Sequence, residues 1–263
     1  IALATGLAGL AGLAYATHRA RALENARIDR GEHREPGTWE RPVRAILALS
    51  IPSALTLALM GLESLLVNHF LSQAPNSRAV LASWSAFDRG LRFAMMPMIA
   101  AGVAVLPLAA RRLGSSDWIG LRRELAKAFA FSLAYVAIVL VPGALLGAEW
   151  IVSDLLRLDD PATHDPSVAA LRLLPWAALG AGPMFLVRSA FEGLGRPLPA
   201  LVASLVRTLA LVVPLVMLGI HLAGRAGVPV VLGAVGGYSV GVALVSAGTG
   251  LWLFLTLRAL AGR

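Results

Sequence analysis

The sequence predicts an all-α integral membrane protein, a polytopic helical bundle, on three observations. Of its 263 residues 57% are hydrophobic and 14% charged, with a mean hydropathy of +0.74. That is more apolar surface than one soluble core of this length can bury. The apolar residues fall in continuous runs of about 20 or more, as helices crossing a hydrocarbon layer of about 30 Å require; a β-barrel would show alternation. The bulk is Ala, Leu, Val and Gly with only 6% aromatic residues, which suits helices packing closely through small side chains in lipid.

The first run, Ile1 to Tyr15, leads straight into His18, Arg19 and Arg21. A secretory signal places its positive charges ahead of the apolar stretch. Residues 1–17 are therefore expected to be the end of a transmembrane helix that starts before this sequence. Residues 18–44 form the longest hydrophilic stretch, with Arg19, Arg21, Arg27, Arg30, Arg34, Arg41 and Arg44 among several carboxylates. They read as a linker, helical over Ala20 to Arg30 at the membrane surface and broken at Pro36-Gly37. Residues 45–263 hold six further apolar runs, about Ala45 to Leu71, Val80 to Ala110, Leu125 to Leu146, Val168 to Phe191, Leu198 to Leu222 and Pro229 to Leu257. The expected organisation is one terminal helix, a linker and a six-helix lobe. Prolines inside these runs, Pro52, Pro97, Pro107, Pro142, Pro175, Pro183 and Pro214, each remove a backbone hydrogen bond and permit a bend.

The net charge of +8 suggests a polyanion surface only until the basic residues are placed. They lie mostly in alternate short loops, which is a topology signal and gives no reason to expect a nucleic-acid partner. The linker is basic, and the next loop holds only Arg78. Arg111, Arg112, Arg122, Arg123 and Lys127 flank the third loop, whereas Glu149, Asp154, Asp159, Asp160 and Asp165 crowd the fourth around Arg157. Arg188 and Arg196 lie near the fifth, Arg225 in the sixth, and Arg258 and Arg263 at the C-terminus. Odd loops and the C-terminus are expected to face the cytoplasm of a multi-pass protein of the cell membrane, its partner the lipid bilayer. Trp118, Trp150 and Trp252 near helix ends fit an interfacial belt.

An ionisable group inside a span costs a few kcal/mol or more in hydrocarbon and so needs a polar partner or a wet cavity. Glu63, Asp88, Arg89, Arg92, Arg172 and Arg207 are such groups. At 1.5 Å per residue Glu63 and Asp88 both lie roughly 14 Å deep. Asp88 has Arg92 four residues on, which leaves open a fixed ion pair or a carboxylate that changes protonation or partner. Glu63 has no basic residue within a turn of its own helix; a proton site and a hydrogen bond to a neighbouring helix both remain open, and it is the preferred proton-site candidate. Arg172 could line a cavity or snorkel to an interface. His69 and His221 near outer helix ends read as interfacial. The absence of cysteine excludes disulfides and thiolate metal sites; no metal site and no cofactor are expected. Asp159-Asp160-Pro161-Ala162-Thr163-His164-Asp165 has the wrong spacing for a prenyl-transfer metal site, and Gly193-Leu194-Gly195 follows no strand, so it is no phosphate loop. With no nucleophile arrangement, the chain is not expected to be an enzyme.

Three stretches resemble the multidrug and toxic compound extrusion (MATE) transporters, in the superfamily that also holds lipid-linked oligosaccharide flippases. Leu49-Ser50-Ile51-Pro52-Ser53-Ala54-Leu55, after a basic linker, resembles the start of that family's seventh helix. Met95-Met96-Pro97-Met98, followed by Arg111-Arg112-Leu113-Gly114-Ser115-Ser116-Asp117, resembles the eighth helix and the turn after it. Phe191-Glu192-Gly193-Leu194-Gly195-Arg196-Pro197 resembles the turn between the tenth and eleventh. The resemblance implies a C-terminal transporter lobe that partners an N-terminal six-helix lobe of the same full-length chain. It also implies alternating access and cation-coupled efflux of small organic compounds. Glu63 would be the seventh-helix carboxylate; Val168 to Phe191 contains no acidic residue, so the proton is preferred to sodium as coupling ion. The alternative is a flippase of an anionic lipid-linked precursor, which four arginines in or near spans would suit.

Overall fold

The structure, a computed structural model, describes residues 2–31 and 42–261. Among its described residues every regular element is a helix, and the chain divides into two compact units, Ile1–Ala45 and Ile46–Arg263. The turn expected at Pro36-Gly37, with Arg34, Arg41 and Arg263, lies outside the described residues.

The first unit contains α1 (Ala2–Asp29). The end of a helix expected within residues 1–17 and the helix expected over Ala20 to Arg30 are one continuous helix, α1. Arg19 to Arg27 are nearly all good helix formers, so the charges that end the apolar stretch do not end the helix. Gly31 ends it, in the left-handed region at φ 69°, with its N–H on the carbonyl of Ile28 at 2.9 Å.

The second unit is built from α2 (Pro42–Ser72) from Ile46 onward, α3 (Ser77–Gly114), α4 (Trp118–Leu155), α5 (Pro161–Arg172), α6 (Leu174–Gly193), α7 (Pro197–Ala226) and α8 (Val230–Ala261). Among the described residues five helices are long and apolar enough to cross a membrane, or six if α5 and α6, bent by 46°, form one span. α1 is not among them, because its apolar part ends at Tyr15. The run Val168 to Phe191, expected as one span, is broken at Leu173. Pro175 removes the N–H that would continue the helix past Leu171, and Trp176 N–H closes a tight turn on Leu173 O at 3.1 Å instead. Prolines also account for two π-helical turns. In a regular helix Pro142 and Pro214 would meet the carbonyls of Ile138 and Ala210. Those residues lie within Val136–Leu140 and Val206–Val212, where the helix widens to a π turn.

Helices α3, α6, α7 and α8 form the centre, and small residues set how closely they approach. A Cβ on Gly102 of α3 would meet Ser189 Oγ of α6 at 3.1 Å. Along α8, Gly233, Gly237 and Gly241 recur every four residues against Gly219, Leu215 and Val212 of α7, so near that a Cβ on the first two would collide with backbone carbonyls. The turn motifs have local reasons too. Asp117 caps α4 by accepting from Gly120 N–H at 2.8 Å and pairs with Arg112. Gly195, at φ 68°, ends α6 with Arg196 N–H on Phe191 O at 2.9 Å. Large apolar side chains such as Leu65, Phe93, Ile138 and Leu146 are exposed, as the surfaces of membrane-spanning helices allow.

Candidate functional site: a charged internal cavity

A cavity of about 400 Å³ opens among α2, α3, α6, α7 and α8, lined by Glu63, Ser64, Trp84, Asp88, Arg92, Arg207 and Tyr238 among apolar side chains. The structure thus brings together four of the six residues singled out from the sequence. Arg89, the neighbour of Asp88 on α3, is exposed and does not line the cavity. Arg172 does not line it either. It is the last residue of α5, at the bend, with its side chain 48% exposed and 3.6 Å from Glu149. The sequence placed Arg172 well inside a span because the apolar run is continuous there; the break at Leu173 puts it at a helix end.

Glu63 and Arg207 are buried, and Arg207 Nη2 donates to Glu63 Oε1 at 2.6 Å. The other carboxylate oxygen accepts from Thr208 Oγ1 at 3.1 Å. Arg207 and Thr208 are adjacent in the π-helical turn ahead of Pro214, so the widening that relieves the proline also presents both donors to α2. Arg207 Nη2 lies 3.1 Å from Tyr238 OH of α8. The Tyr238 ring is held in turn by Trp84 and Phe87 of α3, with centroids 6.1 and 6.2 Å away at steep angles. One carboxylate therefore ties α2 to α7, and through Arg207 to α8 and α3.

Asp88 and Arg92 pair at 2.9 Å within α3, four residues apart, with side chains 31% and 64% exposed. Arg92 Nη2 also comes within 3.5 Å of Ser64 Oγ on α2. This second pair is part-exposed, whereas the first is buried. With two acids and two bases, the wall is charge-balanced.

Sequence reasoning missed Tyr238 and Thr208, uncharged residues inside apolar runs whose importance lies in what they touch. It also read Arg188 and Glu192 as residues of a helix end. They pair within α6 at 3.0 Å, each less than a fifth exposed, and Ser53 of α2 donates to the same Glu192 oxygen at 3.1 Å. The i, i+4 spacing of opposite charges was the signal available for this pair. Arg188 and Arg207 both line a small gap with Thr56 and Ser204.

Fold and cavity together define a multi-pass helical membrane protein with paired charges in its interior. The MatE family model matches residues 52–218, and the chain belongs to that family. Among solved structures, a multidrug resistance MATE family transporter of the MOP superfamily, in its outward-facing conformation, superposes with a TM-score of 0.76 at 18% identity, over 87% of this chain and 49% of that one. A MATE transporter of Vibrio cholerae in its bent form gives 0.74 at 21% identity, over 90% and 52%. A MOP superfamily transporter of Pyrococcus furiosus, noted for the reverse polarity of its binding pocket, gives 0.72 at 18%, over 82% and 46%. The chain spans about half the length of the transporters it matches. No match is found among curated proteins.

Proposed function

We propose that the full-length protein is a secondary active transporter of the cell membrane, and not an enzyme. In this reading it exports small organic compounds by alternating access, coupled to a cation, the proton in preference to sodium. This chain would supply one wall of the central cavity, and an N-terminal lobe the other. The observation that carries the reading is the placing of two carboxylates on one cavity wall, each with a guanidinium partner and with different access to water. A charge carrier that alternates between faces needs a group whose charge or partner can change in one state and not in the other. Asp88 suits this best, being part-exposed and paired only with an arginine that is itself mostly exposed. Glu63, held on both oxygens in the interior, suits it less.

The alternative, a flippase of an anionic lipid-linked precursor, drew its support from four arginines. Only two of them line the cavity, and each is paired with a carboxylate. The balanced wall therefore favours the exporter. The test is efflux of a fluorescent organic cation from proteoliposomes of the full-length protein under an imposed proton gradient, with Asp88→Asn alongside the wild type. Gradient-driven efflux lost in Asp88→Asn is the expected result. No efflux from wild-type vesicles, where a control exporter works, would overturn the export reading and favour the flippase.

A further inference from the structure

A carboxylate in an apolar interior needs a positive charge beside it, and three sources exist: a bound proton, a bound cation, or a side chain. At Glu63 the place is taken by a side chain. Arg207 Nη2 sits 2.6 Å from Oε1, and Thr208 occupies Oε2 at 3.1 Å. Both charged groups are buried. Tyr238 OH, 3.1 Å from the same Nη2, and its ring, 6.0 Å from Arg207 Cζ, keep the guanidinium from swinging away. The other charged groups on this cavity wall are Asp88 and Arg92 of α3, and they engage each other. A free cation approaching Glu63 would have to displace a guanidinium that is tethered to the chain and already holds Oε1 through a charge-assisted hydrogen bond.

We infer that Arg207 is a built-in counter-cation that stands at Glu63 where a solution cation would otherwise bind. Glu63 then fastens α2 to α7 and exchanges no cation with water. The inference sharpens the proposed transport reading by naming which carboxylate does not cycle. It is tested by a binding measurement that requires no transport, so the two can fail separately.

The purified full-length protein is unfolded thermally in sodium or lithium chloride, in choline chloride of equal ionic strength, and across pH, with tryptophan fluorescence as readout. Any sodium response of the wild type is expected to be unchanged in Glu63→Gln. Arg207→Met, of similar length without the charge, is expected to gain stabilisation by sodium, lithium or lowered pH that the wild type lacks and that the double variant Glu63→Gln/Arg207→Met loses. In the converse experiment Glu63→Gln leaves the guanidinium without its carboxylate. It is expected to gain stabilisation by chloride over gluconate, abolished when Arg207→Met is added. A wild-type sodium response that Glu63→Gln removes would overturn the inference, as would a folded Arg207→Met with no gained response. Should Arg207→Met not fold, the chloride arm decides: a response in Glu63→Gln supports the counter-cation, and none overturns it.

Discussion

Taking one member from a buried ion pair leaves its partner charged and dry, which costs about 3–5 kcal/mol, whereas replacing both with apolar groups can be nearly neutral. Glu63 and Arg207 are such a pair, both buried and each the other's charged partner, with Thr208 and Tyr238 as their neutral ones. Arg207→Met and Glu63→Leu should each lower the thermal stability of the full-length protein strongly, and the double variant should recover much of the loss. A double-mutant cycle on Tm checks this; simple additivity would mean that the two side chains do not interact in solution. Tyr238→Phe removes one hydrogen bond to a charged group, a loss of about 1.5–3 kcal/mol, so its Tm should fall less than that of Arg207→Met. Glu63 and Arg207 could each be singled out in the sequence as costly charges inside spans. Their pairing could not, because 144 residues separate them and no local spacing records a contact made across helices. Asp88 and Arg92 were legible as a pair for the opposite reason, since four residues on one helix bring them together. Tyr238 carried no signal at all, being a neutral ring in an apolar run.

At the scale of the element, hydropathy placed the spans because a lipid core demands long apolar helices whatever their neighbours. Hydropathy alone could not place the break at Leu173, where the run stays apolar while the axis turns by 46°; the signal there was Pro175, one of seven prolines that permit a bend. Nor does hydropathy distinguish glycines that merely fill a helix from those that let another helix touch it. Gly236 and Gly237 of α8 differ in this respect. A Cβ on Gly236 would meet open space, whereas one on Gly237 would meet the backbone at Leu215 and Val216 of α7. Replacing a mid-helix glycine with alanine gains roughly 0.5–1 kcal/mol of helix propensity. Gly236→Ala should therefore be neutral or stabilising. Gly237→Ala should lower Tm despite the same gain, since overpacking costs about 1–3 kcal/mol. Because Tyr238 adjoins Gly237, the second variant should also weaken the hold on Arg207. Equal Tm for the two variants would mean that α7 and α8 are not in backbone contact. A smaller effect belongs to the α3–α4 turn, where Asp117→Ala removes the cap on Gly120 N–H and should cost about 1 kcal/mol.

At the scale of the whole molecule, the charge of the loops should decide which way the lobe sits in the membrane. The loops alternate between arginine-rich and acid-rich, and short loops rich in Lys and Arg stay on the cytoplasmic side. α4 gives the cleanest test. Its 38 residues run from a basic end, with Arg122, Arg123 and Lys127, to the acidic segment that holds Asp154 and Asp159. At 1.5 Å per residue the helix is about 57 Å long, ample to cross about 30 Å of hydrocarbon and emerge on both sides. Since these 263 residues contain no cysteine, a single introduced thiol reports one place, provided any cysteine elsewhere in the full-length chain is first replaced. Ser115 and Asp159, both exposed, lie just beyond the two ends. An impermeant maleimide applied to intact cells should label Asp159→Cys at once, and Ser115→Cys only after the membrane is permeabilised. The reverse pattern would invert the orientation and put the arginine-rich turns outside, against the rule that loop charge sets topology. Labelling of both from one side would mean that α4 does not cross. The cavity holding Glu63 and Asp88 would then not lie between two aqueous faces, and the proposed alternating access would lose its physical basis.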